Sequence, residues 1–458
     1  MSNALSEAKA SFRLRRGMSF GLGQALITAA SQLVVIRILI GSNGIEALGL
    51  WALVTAICAP LRLADFSGLS SSYFVARSIA SEERDTDTAA YIHFNMLASL
   101  GLMSVSALVL YLLSPFAVSV LLTSDQTRAV LDILPIVMFS TIAQSLSLNL
   151  STALDGLQRS FLRSSAVILG TLCYFAVSVL LIERLGIVSL AVGQIAMAVV
   201  TTFVSAFFLA RHLPIFSVPD WRMAGKKLRE IFGYGARMQS VSWSQALFEP
   251  AVRIALGNSG GLLLLGAYEV AQRVLGQGRS LVFQMLYPLV PAITHLSKVS
   301  RSDANAFIWV WHKRCALGSL LLSPIVLLMA DLVASLVIGT SNSDFHRTYY
   351  LLSIPTWCAI STFPLYYIGP ATSLFKWNAL GHAAALLALP LLAFGFHFIG
   401  AKDSVVLGAV LASTVAVVIS STANVLASRM PFARHFMLVV LVLCILSAMN
   451  LTAYINFK

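Results

Sequence analysis

A chain of 458 residues with 58% apolar and only 11% charged positions is not a water-soluble globule, in which charged residues make up about a quarter. Its net charge of +12 does not mark a nucleic-acid binder, because the basic residues sit in the breaks between long apolar runs rather than in one patch. The mean hydropathy of +0.84 leaves lipid as the solvent, and a hydrocarbon core about 30 Å thick takes roughly 20 apolar residues per crossing.

In chain order, membrane spans are predicted at 17–40, 45–64, 91–113, 129–150, 164–182, 187–209, 233–256, 262–285, 315–338, 348–372, 378–398, 404–427 and 436–455. They are helices, because hydrocarbon leaves each backbone group to find a partner within its own segment, and the runs are too long and too uniformly apolar for barrel strands. The basic, apolar N-terminus resembles a secretory signal, but its run is too long and no small-residue cleavage pattern ends it, so it reads as the first membrane helix. With that N-terminus cytoplasmic, twenty-one basic residues fall on inner segments or inner helix edges, and the outer segments hold only Arg128, Arg184, Arg347, Lys402 and Lys458. The five cysteines are odd in number and scattered, which predicts neither a disulfide nor a metal site.

The organisation that follows is a six-helix bundle at 1–210, a cytoplasmic amphipathic linker at 211–232, a second six-helix bundle at 233–430 and an extra transmembrane helix at 431–458. In the linker, Pro219-Asp220 is a helix-start signal. Trp221, Ala224, Leu228, Ile231 and Phe232 recur at helical spacing opposite Lys226, Lys227 and Arg229, which predicts a helix lying on anionic headgroups. The alternative is a solvated basic loop.

An internal repeat runs through the spans. RILIGSNGIEALGLWALVTA from Arg37 and RIALGNSGGLLLLGAYEVAQR from Arg253 pair Arg37 with Arg253, Gly41 with Gly257 and Gly44 with Gly260. After one inserted residue Gly49 pairs with Gly266 and Trp51 with Tyr268, and further on Arg62 pairs with Arg279. The copies cross the membrane in the same sense, so the halves read as parallel repeats about an axis along the membrane normal, with the substrate expected in a central cavity between them.

No phosphate loop, HExxH or GxSxG is present, and the outer loops are too short to build an extracytoplasmic active site. What remains is ionisable residues within spans, each costing about 2.5–3.5 kcal/mol at a helix centre unless paired or wetted. Arg37, Arg62, Arg253, Arg273 and Arg279 are the candidate ligands of an anionic headgroup, since guanidinium matches phosphate with paired, charge-assisted hydrogen bonds. Glu249 and Glu269 each precede an arginine by four residues, fall at similar depth, and are the candidates for exchanging a coupling ion. The competing reading is structural: ion pairs that hold two helices together, with Arg62 and Arg279 reaching toward the interface. His382 and His397 in the eleventh span are read as packing donors before proton carriers, and Asp132 and Asp331 as wetted by the outer interface.

Four segments, GSNGIEALGLWALVTAI, LADFSGLSSSYFVARSIA, ALDGLQRSF and LGAYEVAQRV, resemble the polysaccharide flippases of the multidrug and oligosaccharidyl-lipid exporter superfamily, and the likeness extends to about residue 430. The resemblance implies an all-α polytopic membrane protein of two pseudo-symmetric six-helix bundles around a central cavity, to which this chain adds a thirteenth helix. It implies a transporter rather than an enzyme, moving undecaprenyl-diphosphate-linked oligosaccharide from the cytoplasmic to the periplasmic leaflet of a bacterial inner membrane. The expected partners are a lipid-linked anionic oligosaccharide, membrane lipids and other polysaccharide-assembly proteins, with no nucleic acid. No cofactor is expected, only an H+ or Na+ gradient as energy source. The rivals are a multidrug or metabolite cation antiporter of the same superfamily, a membrane-embedded glycan polymerase, ligase or transferase, and a non-transporting scaffold. The thirteenth span and the Glu249-Pro250 pair depart from the family pattern.

Overall fold

A computed structural model describes residues 2–65, 67–286, 289–340, 342–372, 375–401 and 403–456; Lys402 and Lys458 lie outside them. Among the described residues the chain is helical with no strand. Ten of the described helices are long and apolar enough to cross a membrane, and an eleventh counts if Arg301–Leu328 and Ala330–Ile338, bent by 54°, form one crossing. Packing divides the chain into two units, residues 1–43 with 57–240, and residues 44–56 with 241–458.

The first unit comprises α1 (Ser2–Asn43), α3 (Ala59–Leu63), α4 (Ser67–Ala80), α5 (Asp85–Leu121), α6 (Ser124–Gly156), α7 (Ser160–Leu185), α8 (Val188–Ala210) and the start of α9 (Ala224–Leu286). Asp85 and Asp87 in the first turn of α5 suit the positive end of its dipole. The helix then presents Leu108, Leu112, Phe116 and Val120 outward at i, i+4 spacing, as a lipid-facing stripe should. Its inner face is polar: Asn95 Nδ2 donates to Ser71 Oγ at 2.8 Å and to Asn149 Oδ1 at 2.6 Å, and Ser71 Oγ donates to the same Asn149 oxygen at 2.7 Å. Lipid offers no hydrophobic drive between helices, so such bonds tie α4, α5 and α6 together. A Cβ on Gly156 of α6 would stand 2.7 Å from the Ser72 carbonyl oxygen, so only glycine admits α4 here.

The linker departs from its predicted amphipathic face. Lys227 is 2% exposed and points inward, with Nζ 2.7 Å from the Asp87 carbonyl oxygen and 3.9 Å from the centre of the Tyr91 ring. Burial pulls its ammonium pKa below the ordinary value, against the opposing pull of Asp87. Beside it Glu230 accepts from Arg77 Nη2 at 2.7 Å and from Tyr91 Oη at 3.1 Å. Burial opposes its charge, but these two bonds prevail and hold the Glu230 carboxyl below the usual range. Ile231 is buried with Phe74, Ala90, Tyr91 and Phe94. The start of α9 is thus docked on α4 and α5, while Trp221 keeps 62% of its surface exposed.

The second unit holds α2 (Ile45–Ile57), the remainder of α9, α10 (Leu289–Val299), α11 (Arg301–Leu328), α12 (Ala330–Val333), α13 (Ser343–Tyr366), α14 (Ile368–Thr372), α15 (Lys376–Phe398), α16 (Ser404–Ala427) and α17 (Phe432–Asn456). The predicted second span at 45–64 is therefore discontinuous. It breaks at Cys58, where Pro60 enters the first turn of α3 without an amide hydrogen to continue the ladder. Helix α9 doubles back at Gly261, whose φ of +73° only glycine holds without strain. Contacts between residues 16 and 23 positions apart across this turn prove the reversal, since a straight helix would separate them by about 24–35 Å. The predicted seventh and eighth spans are the two arms.

The matched glycines of the repeat meet in this unit. A Cβ on Gly49 would stand 2.1 Å from the Leu262 carbonyl oxygen, and one on Gly266 would stand 2.3 Å from that of Ile45. With Gly261 taken as the inserted residue Ile45 corresponds to Leu262, so the contact of α2 with α9 is self-complementary, each copy doing to the other what the other does to it. Trp51 and Tyr268, also matched, are both buried. On the far side α17 is built into the core, where Val442 and Leu446 pack with Trp357 and Phe363, Ser353 donates to Asn450, and the buried imidazoles of His312 and His435 meet Nδ1 to Nδ1 at 2.9 Å.

Candidate functional site

Both predicted glutamates and three of the five predicted arginines lie in the second unit, on the two arms of α9. The turn at Gly261 brings the arms together so that Glu269, 1% exposed, accepts from two guanidinium groups. Arg273 Nε donates to Oε1 at 2.7 Å from the same arm, and Arg253 Nε donates to Oε2 at 3.0 Å from the opposite one. Arg253 also reaches back along its own helix, with Nη2 3.6 Å from Glu249 Oε2. The i, i+4 pairs read from the sequence are both present, and Arg253 links them.

Glu249 has a different environment. Its side chain is 41% exposed, Gln272 Nε2 donates to its Oε1 at 3.1 Å, and it lines a cavity of about 430 Å³. Arg279 lines the same cavity from the second arm, seven residues beyond Gln272, or about 10 Å along the helix axis. No ion pair to Arg279 occurs among the described residues. The wall from α13 supplies Thr356, Thr362, Phe363 and Tyr366, α15 supplies His382, and α16 supplies Ser413 and Ser420. His382 Nε2 stands 3.4 Å from Tyr366 Oη. The recess thus holds one carboxylate and one guanidinium, a carboxamide, an imidazole, several hydroxyls and aromatic faces.

The remaining predicted residues lie elsewhere. Arg37 on α1 and Arg62 on α3 belong to the first unit, and both are exposed. Arg37 forms no ion pair among the described residues. His397 borders a second recess of about 430 Å³ with Ser259, Asp403 and Ser404. Asp331 is largely exposed and lies 2.8 Å from Nε2 of the buried His346. Gln272, Thr356 and Ser413 line the recess without being among the residues predicted from the sequence. Gln272 carried a signal, an uncharged polar residue next to Arg273 in an apolar run, whereas the hydroxyls did not, being common in membrane helices. Among the described residues no cluster of three or more histidine, cysteine, aspartate or glutamate side chains is placed to hold a metal ion.

This order of helices is shared with solved transporters. The MATE multidrug transporter DinF-BH superposes with a TM-score of 0.64 at 15% identity, covering 93% of this chain and 96% of that one. The lipid II flippase MurJ in an inward closed conformation gives 0.62 at 12% identity, covering 98% of each chain. A MOP superfamily transporter from Pyrococcus furiosus, described as having a binding pocket of reversed polarity, gives 0.56 at 15% identity over 93% and 96%. The fold is that of the MOP superfamily transporters, and the chain is a multi-pass membrane protein. Residues 36–345 match the model of the family described as polysaccharide biosynthesis protein, and the chain belongs to that family. No curated protein matches the sequence.

Proposed function

We propose that this protein flips undecaprenyl-diphosphate-linked oligosaccharide from the cytoplasmic to the periplasmic leaflet of a bacterial inner membrane, by alternating access and without enzymatic chemistry. The observation that carries this reading is membership of a polysaccharide biosynthesis family on a transporter fold. The distribution of basic residues supports a cytoplasmic N-terminus. Of the five arginines, Arg37 and Arg62 are assigned to the diphosphate, and Arg279, which lines the recess with Glu249, to the sugars of the glycan. Arg253 and Arg273 are assigned a lesser part, because Glu269 already takes their strongest hydrogen bonds. Glu249, open to the recess, is assigned the coupling H+ or Na+, and Glu269 the task of holding the arms of α9 together.

In a strain that depends on this protein, Arg37→Ala and Arg279→Ala should strand lipid-linked sugar on the cytoplasmic leaflet while the variants remain abundant and folded. Normal export in Arg37→Ala would defeat the anion assignment, and normal export in Arg279→Ala would defeat the assignment of that residue to the glycan. Drug susceptibility that tracks Glu249→Gln, with glycan export intact, would favour the cation antiporter.

A further inference from the structure

We infer that the recess of the second unit is a subsite for one or two uncharged sugar rings of the transported glycan, rather than for its diphosphate or for the coupling ion alone. This rests on the proposed flippase function and specifies which part of the substrate enters.

The electrostatics select the ligand. Glu249 and Arg279 both face the cavity, while Arg253 and Arg273 are tied to Glu269 behind it, so the wall carries one charge of each sign. A diphosphate entering here would meet the Glu249 carboxylate, and an organic cation would meet Arg279; each would lose by repulsion much of what it gained by attraction. An acyl chain would cover the Gln272 carboxamide and the Ser413 hydroxyl without offering either a hydrogen-bond partner.

A sugar ring has the complementary surface. Its hydroxyls both donate and accept: they donate to Glu249 and accept from Arg279 and Gln272, whose amide is already oriented by its bond to Glu249. Its C–H face is apolar and suits the aromatic wall of Phe363 and Tyr366. A volume of about 430 Å³ falls within the roughly 300–1,000 Å³ of small-molecule sites and leaves room for one or two rings.

The test uses the purified full chain in lipid nanodiscs and saturation-transfer NMR, with N,N′-diacetylchitobiose and lactose as neutral probes and sodium pyrophosphate and tetraphenylphosphonium as charged ones, all at millimolar concentration. At least one disaccharide should receive saturation. Binding should weaken about tenfold in Gln272→Ala and in Arg279→Gln, the loss of one good polar contact. His397→Ala, at the other recess, should leave it unchanged, and thermal denaturation checks that each variant is folded. The inference is overturned if neither disaccharide receives saturation, if the signal persists in both recess variants, or if only pyrophosphate or tetraphenylphosphonium binds. A parallel count of lipid-linked sugar in each leaflet separates the two readings. Translocation without disaccharide binding defeats the sugar subsite alone, and disaccharide binding without translocation defeats the flippase reading alone.

Discussion

Glu269 is the most constrained ionisable residue on α9, a buried carboxylate holding guanidinium groups from both arms. Glu269→Gln would leave Arg253, only 17% exposed, without its nearest countercharge, and removing one partner of such a pair costs about 3–5 kcal/mol. The variant should melt well below the parent in detergent, and Arg273→Ala, whose side chain is more exposed, should lose less. An equal or higher melting point for Glu269→Gln would show that the cluster does not hold the hairpin. Much of this was legible in the sequence. The four-residue spacings and equal depths placed both glutamates with arginines in one layer. The bond from Arg253 to Glu269 was not legible, because which arginine reaches across depends on how the arms rotate against each other, and spacing fixes only the face within one helix.

Among the elements, close approach at glycine is the most exposed to test. Gly49→Ala or Gly266→Ala would place a methyl group against a main-chain oxygen that has nowhere to move, so α2 and α9 should separate at a cost of about 1–3 kcal/mol. Disulfide trapping between cysteines placed on the two helices would report the loss of contact; undiminished trapping in both variants would refute it. The docked start of α9 gives a pH prediction. The Glu230 carboxyl is held below its ordinary range, so its bonds contribute fully above the unfolded carboxyl pKa of about 4.3 and fade as acid protonates it through the lower folded value. Hydrogen exchange at residues 224–235 should accelerate below about pH 4.3, and in Glu230→Gln that acid dependence should shrink. The sequence does not reveal this docking, because the charge of Lys227 marks it for a solvated face. A lysine also carries a long apolar stem, and here the ring of Tyr91 and the Asp87 carbonyl receive it.

Across the whole molecule, the long apolar runs predicted most membrane helices well, because 20-residue periodic segments are set by bilayer thickness alone. The second span failed, since apolar composition continues through Cys58 while the helix does not. Helix α4 is not legible as a membrane segment because its serines dilute hydropathy, although Ser70 and Ser71 bond the Asn95 and Asn149 carboxamides. The thirteenth helix was predicted as an addition, yet its buried side chains complete the core of the second unit. A chain ending at residue 430 should therefore fail to give monodisperse protein, whereas a removable appendage would leave the remainder intact.

The contact between Gly49 and Gly266 also bears on origin. A surface that fits a copy of itself is what a two-fold symmetric dimer uses, so a half-length precursor pairing with its own twin would already possess this junction. Gene fusion would then have needed only a tether, and the 211–232 stretch is where that tether lies. At this junction a side chain on either glycine would push into the main chain of the other copy, so neither half can gain bulk there without displacing its twin.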